Sequence, residues 1–297
     1  MSDYLLSVLL GIIEGLTEFL PISSTAHLRI AEALLGVDLT AGYWKMYTVV
    51  IQLGAILCLP VYFRARIACL LATFPRGDRG DRNAFTHPLG LVAIAFVVTA
   101  IPSFLLTRVI GEHLERLTLM AIALLAGGVI MWVVDAFQAR SEAAGPNAPA
   151  GRVRTWSMDA MGLRQSVWIG ACQVLAAVFP GTSRSMATIA AGQVAGMSRA
   201  AALEFSFFLS MPTMAVAVLY DLYRSLRGSA ENPLGVSSID THGWIVLAIG
   251  FVVSFVVAYA AVAWFMAWVR RRGFAPFAIY RLALGLLVLA LAARLTR

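Results

Sequence analysis

The sequence predicts an all-α polytopic membrane protein built from two inverted repeats, each a re-entrant helix–break–helix hairpin followed by three transmembrane helices. Three observations carry this. The 297 residues are 60% hydrophobic and 13% charged, with mean hydropathy +0.81, a composition far from that of a soluble domain. Six apolar stretches approach the roughly 20 residues that a helical span needs. A long motif near the start returns near residue 170.

The first element is the stretch 4–20 and 24–36, broken at Pro21. Each arm is too short to span well, and a proline lacks the N–H and clashes with the preceding turn. Broken backbone at membrane depth is tolerated when it is buried in protein or lines a cavity. Spans follow at about 43–63, 87–107 and 117–137, completing repeat one (1–137). Residues 138–162, rich in Ala, Pro, Gly and Arg, read as an exposed loop. Repeat two (163–297) opens with a hairpin at about 163–197, broken at Pro180-Gly181. It continues with spans at about 200–223, 243–269 and 274–294, and a polar loop at 224–242. The segment Gly170–Ser185 aligns without gaps on Gly11–Ala26, an offset of 159 (170 minus 11). Glu14 faces Gln173, Pro21 faces Pro180, Ser24 faces Ser183 and Thr25 faces Arg184. Three spans per repeat is an odd number, so the second copy is expected upside down relative to the first.

The charge reports orientation. The net charge of +7 is almost all arginine, with Lys45 the single lysine. It is spread over loops between apolar segments, which argues against nucleic-acid binding. Eleven arginines fall in 64–86, 138–162 and 270–273, against six arginines and Lys45 on the other side. The positive-inside rule then places those three loops in the cytoplasm, and both termini and the site in the periplasm. The N-terminus is not expected to be a cleaved signal, because it has no basic n-region and Glu14 and Glu18 interrupt the apolar run. Cys58, Cys69 and Cys172 are scattered, with neither a disulfide framework nor metal-ligand spacing.

The chemistry gathers at the breaks. Glu14 and Glu18 are four apart and share a helix face. Ionised carboxylates inside a membrane are costly unless paired or wetted. A divalent cation, Mg²⁺ or Ca²⁺, would compensate both and could bridge to substrate phosphates. A proton or Na⁺ site in a transporter is the alternative. Ser23 is a natural N-cap for the second arm; Ser24 and Thr25 follow it, and His27 lies one turn in. In the second motif Arg184 falls in the first turn of a short helix, with Ser183, Ser185 and Thr188 beside it. Helix starts bind phosphate through free N–H groups and the macrodipole, and a guanidinium grips phosphoryl oxygens with paired hydrogen bonds. The alternatives are plain N-capping for Thr182 and Ser183, and a structural counter-ion role for Arg184. His27 could move a proton or attack phosphorus itself. Gln52, Glu204, Ser206, Ser210 and Arg281 read as cavity-lining or interhelical polar residues. Gly11 and Gly15 read as a packing pair.

These residues resemble the bacterial undecaprenyl-diphosphate phosphatase family associated with bacitracin resistance. The carrying motifs are Glu14-Gly-Leu-Thr-Glu18-Phe-Leu-Pro21-Ile-Ser23-Ser24-Thr25-Ala26-His27 and Pro180-Gly181-Thr182-Ser183-Arg184-Ser185-Met186-Ala187-Thr188. Weaker echoes are Val50–Gly54, Glu204–Phe207 and Pro276–Arg281, so the resemblance covers essentially the whole chain. Ala26 and Met186 stand where the family usually has glycine. The resemblance implies a metal-dependent membrane phosphatase that removes the terminal phosphate of a polyprenyl diphosphate and regenerates the lipid carrier for peptidoglycan synthesis. It makes Glu14 and Glu18 the acidic motif, Ser24 and His27 the hydroxyl and imidazole, and Arg184 the phosphate clamp. The substrate partner is then a lipid within the bilayer, and a homo-oligomer is compatible with the pattern. The competing reading is an inverted-repeat translocase for a polyprenyl phosphate.

Overall fold

A computed structural model describes residues 2–39, 42–78, 80–106, 117–143, 153–229, 232–235 and 239–295. Arg79, Arg108, Arg116, Arg152 and Arg297 of the orientation count, and loop residues 144–152, lie outside them.

The chain is helical almost throughout. Helix α1 (Asp3–Thr17) stops four residues before Pro21, at the residue whose carbonyl the proline can neither bond nor clear. After the break comes α2 (Ser24–Leu35), folded back on α1. Helices α3 (Gly42–Tyr62), α4 (Arg64–Thr73), α5 (Pro88–Leu105) and α6 (Leu117–Ala143) follow. The second broken pair is α7 (Leu163–Val178) and α8 (Arg184–Val194). Then come α9 (Arg199–Arg227), α10 (Thr241–Arg272) and α11 (Ala275–Leu295). A small antiparallel ribbon, Gly228–Ser229 with Asn232–Gly235, interrupts the helices.

Six of these helices, α3, α5, α6, α9, α10 and α11, are long and apolar enough to cross a membrane. They turn large apolar side chains outward, including Phe104, Leu105, Val129, Trp132 and Leu286. Such a surface suits lipid, not water. The protein is a multi-pass membrane protein.

Three expectations need correction. The stretch 64–86 is not all loop, since α4 occupies its first half. The segment 138–162 is not simply exposed. Helix α6 runs on to Ala143, and Gln138 is buried, with its amide donating to Met197 O at 2.6 Å. Met158 and Met161 are also buried. The two breaks differ by one residue from the gapless alignment. The left-handed serines that precede the short helices are Ser23 (φ 72°) and Ser183 (φ 66°), which are 160 apart. Gly181, at φ 91°, takes up the extra residue.

The helices group into two compact units. Residues 1–19, 24–62 and 210–264 form the first, and residues 20–23, 63–209 and 265–297 the second. Each mixes segments from both sequence repeats. In the first unit α1 packs on α10. A Cβ on Gly15 would sit 2.7 Å from Ser254 O, and one on Gly11 would sit 3.0 Å from Gly250 O. Ser7 Oγ donates to Val246 O at 2.7 Å. In the second unit α7 packs on α5 in the same manner. A Cβ on Gly170 would lie 2.6 Å from Ala95 O, and Ser166 Oγ donates to Leu91 O at 2.6 Å. Gly11 and Gly170, and likewise Ser7 and Ser166, are pairs at the 159-residue spacing. Each broken helix thus docks through glycine and serine on a span of the other repeat. The second unit also packs α6 on α11, with Gly127, Gly128 and Gly285 allowing close approach.

Candidate active site

The carboxylates, Ser24, Thr25 and His27 belong to the first unit. Glu14 lies in the last turn of α1 and is 1% exposed. Glu18 caps the same helix, its N–H donating to Glu14 O at 2.9 Å. The two carboxyls stand four residues apart, one helical turn from each other. Two ionised carboxylates buried this near each other would need compensating charge. Ser24 Oγ, at the first residue of α2, donates to Glu18 Oε2 at 2.6 Å. His27 follows one turn later and is half-buried, while Thr25 is exposed.

The Glu pair suits a hard divalent cation. Glu14 Oε2 is buried and has no hydrogen-bond partner among the described residues, so one carboxylate oxygen remains for a further ligand. Among the described residues no cluster of three or more His, Cys, Asp or Glu could hold a metal. Any cation here would take its other ligands from hydroxyls, backbone carbonyls, water or substrate oxygens, as Mg²⁺ commonly does.

The second unit holds both break loops, Leu20–Ser23 and Phe179–Ser183, together with Arg184, Ser185 and Thr188. Ser183 caps α8 by accepting from Met186 N at 3.4 Å. Its hydroxyl also lies 3.1 Å from that of Ser185. Ser185 Oγ donates to Leu20 O at 3.0 Å, tying the second break to the first. Arg184 is the first residue of α8 and is half-buried. A guanidinium at a helix start combines fixed charge with free backbone N–H groups. Thr188 is fully buried. Its hydroxyl contacts Ser206 Oγ at 2.7 Å and bonds back to Arg184 O at 2.9 Å, so it is spent within the protein.

From the sequence Arg281 reads only as a cavity-lining or interhelical polar residue. In the structure its guanidinium donates to Pro21 O and Gly181 O, one carbonyl from each break. The available signal was an arginine inside the apolar run of α11. Glu204, treated the same way, accepts from Arg66 Nε at 2.9 Å and serves an ion pair instead.

A family profile described as bacitracin resistance protein BacA matches residues 7–287. The chain is 62% identical over 292 residues to the undecaprenyl-diphosphatase of Koribacter versatilis, covering 98% of each chain. It is 41% identical to the one from Sorangium cellulosum, over 95% of this chain and 84% of that one. With the Thermus thermophilus protein of the same name it shares 39% identity, over 94% of this chain and 93% of the relative. A match over nearly the full chain settles the relationship: the chain belongs to the bacitracin resistance protein BacA family.

Proposed function

We propose that the protein is an undecaprenyl-diphosphatase, hydrolysing undecaprenyl diphosphate to undecaprenyl phosphate and inorganic phosphate. The relatives named for that activity support the reading across nearly the full chain. The structural observation that carries it is the 2.6 Å contact between Ser24 Oγ and Glu18 Oε2. A serine alone is a weak nucleophile and needs a neighbouring base, and here its hydroxyl already donates to a carboxylate.

In the proposed sequence Ser24 Oγ attacks the terminal phosphorus as its proton passes to Glu18. The bond from that phosphorus to the bridging oxygen breaks, and undecaprenyl phosphate leaves. Water then attacks phospho-Ser24, with His27 taking the water proton, and inorganic phosphate departs as Ser24 recovers its hydrogen. Arg184 grips the phosphoryl oxygens, with Ser183 and the α8 N–H groups as further donors, while Ser185 keeps its hydrogen on Leu20 O. Ser23 and Thr25 would add donors at the start of α2. A divalent cation, Mg²⁺ or Ca²⁺, held by Glu14 and Glu18 would supply neutralising charge for the transferring group. Such electrostatic stabilisation carries most of phosphoryl-transfer catalysis.

The membrane reading extends to a bacterial inner membrane, with the termini and the site toward the periplasm. It also takes the two halves as inverted repeats. Recycling of the lipid carrier for wall synthesis is the role such a reaction serves. Phosphate release from detergent-solubilised protein, with and without chelator, tests the activity. Hydrolysis needs no second compartment, so release in detergent excludes a pure translocase. Acid-quenched protein should carry labelled phosphate on Ser24. An adduct that survives Ser24→Ala and vanishes with His27→Ala would overturn the Ser24 assignment.

A further inference from the structure

Among the described residues Arg281 heads the fully buried side chains by size, with no exposed surface at all. It sits within the apolar α11, where a charge is costly and demands compensation. Among the described residues its hydrogen bonds go only to backbone carbonyls. Nη1 donates to Pro21 O at 3.2 Å; Nη2 donates to Gly181 O at 3.1 Å and to Ala123 O at 3.2 Å. Its Nε has no partner among the described residues.

The choice of acceptors is informative. A broken helix frees carbonyls that water cannot reach in a membrane interior, and each must find a donor. Pro21 belongs to the first break and Gly181 to the second. One guanidinium serves both because its planar fork presents separate nitrogens at fixed spacing. The neighbouring helix makes room for it. A Cβ on Gly127 would lie 2.3 Å from Nη2 and 2.7 Å from Met186 Cε. Both loops also contain a serine in left-handed backbone, Ser23 and Ser183. Such conformations persist only where the surroundings hold them. Arg281 touches both loops, and Ser185, two residues past Ser183, bonds Leu20 O in the first.

We propose that Arg281 is a positioning residue for phosphoryl transfer: it braces the two break loops together so that Ser23 and Ser183 keep the turns that open α2 and α8. The inference rests on the phosphatase reading. Ser24 and Arg184 follow those two serines directly, so slack in the brace reaches the nucleophile and the clamp through one peptide bond each. Arg281 itself need not touch the substrate.

The test uses the full-length protein in detergent with undecaprenyl diphosphate. Arg281→Met keeps much of the volume and removes the donors. Arg281→Lys keeps the charge on a single nitrogen, which cannot serve carbonyls now held by two. Both should lower kcat by about 10²-fold, the scale of a misplaced catalytic group. KM should stay within about threefold, because ground-state binding of the lipid is little changed. Amide hydrogen exchange, followed by mass spectrometry, should speed up by about tenfold or more in peptides covering 18–24 and 179–185, with α5 and α6 unchanged, as local opening predicts. Gly127→Ala leaves the charge in place and pushes the guanidinium aside. It should act in the same direction, with kcat lower by about tenfold, and it decides alone if the Arg281 variants do not fold. A kcat within threefold of wild type, or exchange that rises equally in every helix or only in α11, overturns the proposal. Wild-type protein that releases no phosphate would instead sink the phosphatase reading, and the exchange pattern would still judge the brace.

Discussion

Replacing Glu18 by glutamine keeps the size and an oxygen that can accept from Ser24, but removes both the charge and the ability to take a proton. The contact at risk is the 2.6 Å bond from Ser24 Oγ. A hydrogen bond to a charged group contributes about 1.5–3 kcal/mol and a neutral one about 1 kcal/mol, so the bond alone accounts for a loss of about tenfold. Loss of a positioned general base costs a further 10²–10⁴-fold or so. The expected kcat for Glu18→Gln is therefore lower by about 10³-fold or more, with KM moved far less. Glu18→Asp separates charge from geometry. It keeps the carboxylate but withdraws it by about 1.5 Å, one carbon–carbon bond, and should cost about 10²-fold. The assay is phosphate release by purified protein across a magnesium series. If Glu18→Gln turns over within threefold of wild type at saturating magnesium, the Ser24–Glu18 pair is not the nucleophile and its base.

Other consequences are equally open to measurement. Arg184→Lys should lose about 10²-fold in kcat/KM, because a point charge cannot replace the planar fork; near-normal turnover would remove it as the clamp. Gly15→Ala places a methyl 2.7 Å from Ser254 O and 2.9 Å from Ala258 N, both backbone atoms that cannot swing away. Overpacking of this kind costs about 1–3 kcal/mol, so the thermal midpoint in detergent should drop, and an unchanged midpoint would refute the packing role. An impermeant thiol reagent on intact cells should label a cysteine placed at Ser229 and spare one at Ala148; the opposite pattern would invert the orientation.

Much of the architecture was readable from composition and periodicity. Pro21 and Pro180 marked the breaks because proline acts locally, on the turn that precedes it. The six candidate spans were readable because lipid demands length and apolarity together. Helix α4 was hidden because it is short and basic, and nothing in its pattern distinguishes an amphipathic turn beside a membrane from a loop. The burial of Gln138 and Met158 was hidden because it depends on contacts with residues far along the chain. The same holds for Arg281. Its presence in an apolar run was visible, but its acceptors are peptide carbonyls, which carry no residue-type signal. At the site, the spacing of Glu14, Glu18 and Ser24 indicated which groups share a region. That the Ser24 hydroxyl donates to Glu18 required coordinates.

The docking of α1 on α10 has a consequence for synthesis. Helix α1 ends at Thr17 and its partner begins at Thr241, 224 residues later (241 minus 17). At about 5–20 residues per second, roughly ten to forty-five seconds of translation separate the two. Throughout that interval the short helix that carries Glu14 and Glu18 lacks the glycine-lined seat on α10. A helix made long before its partner is therefore among the last to reach its place. A ribosome stalled before residue 241 would leave a nascent chain with two unhoused carboxylates, a clear mark for membrane quality control.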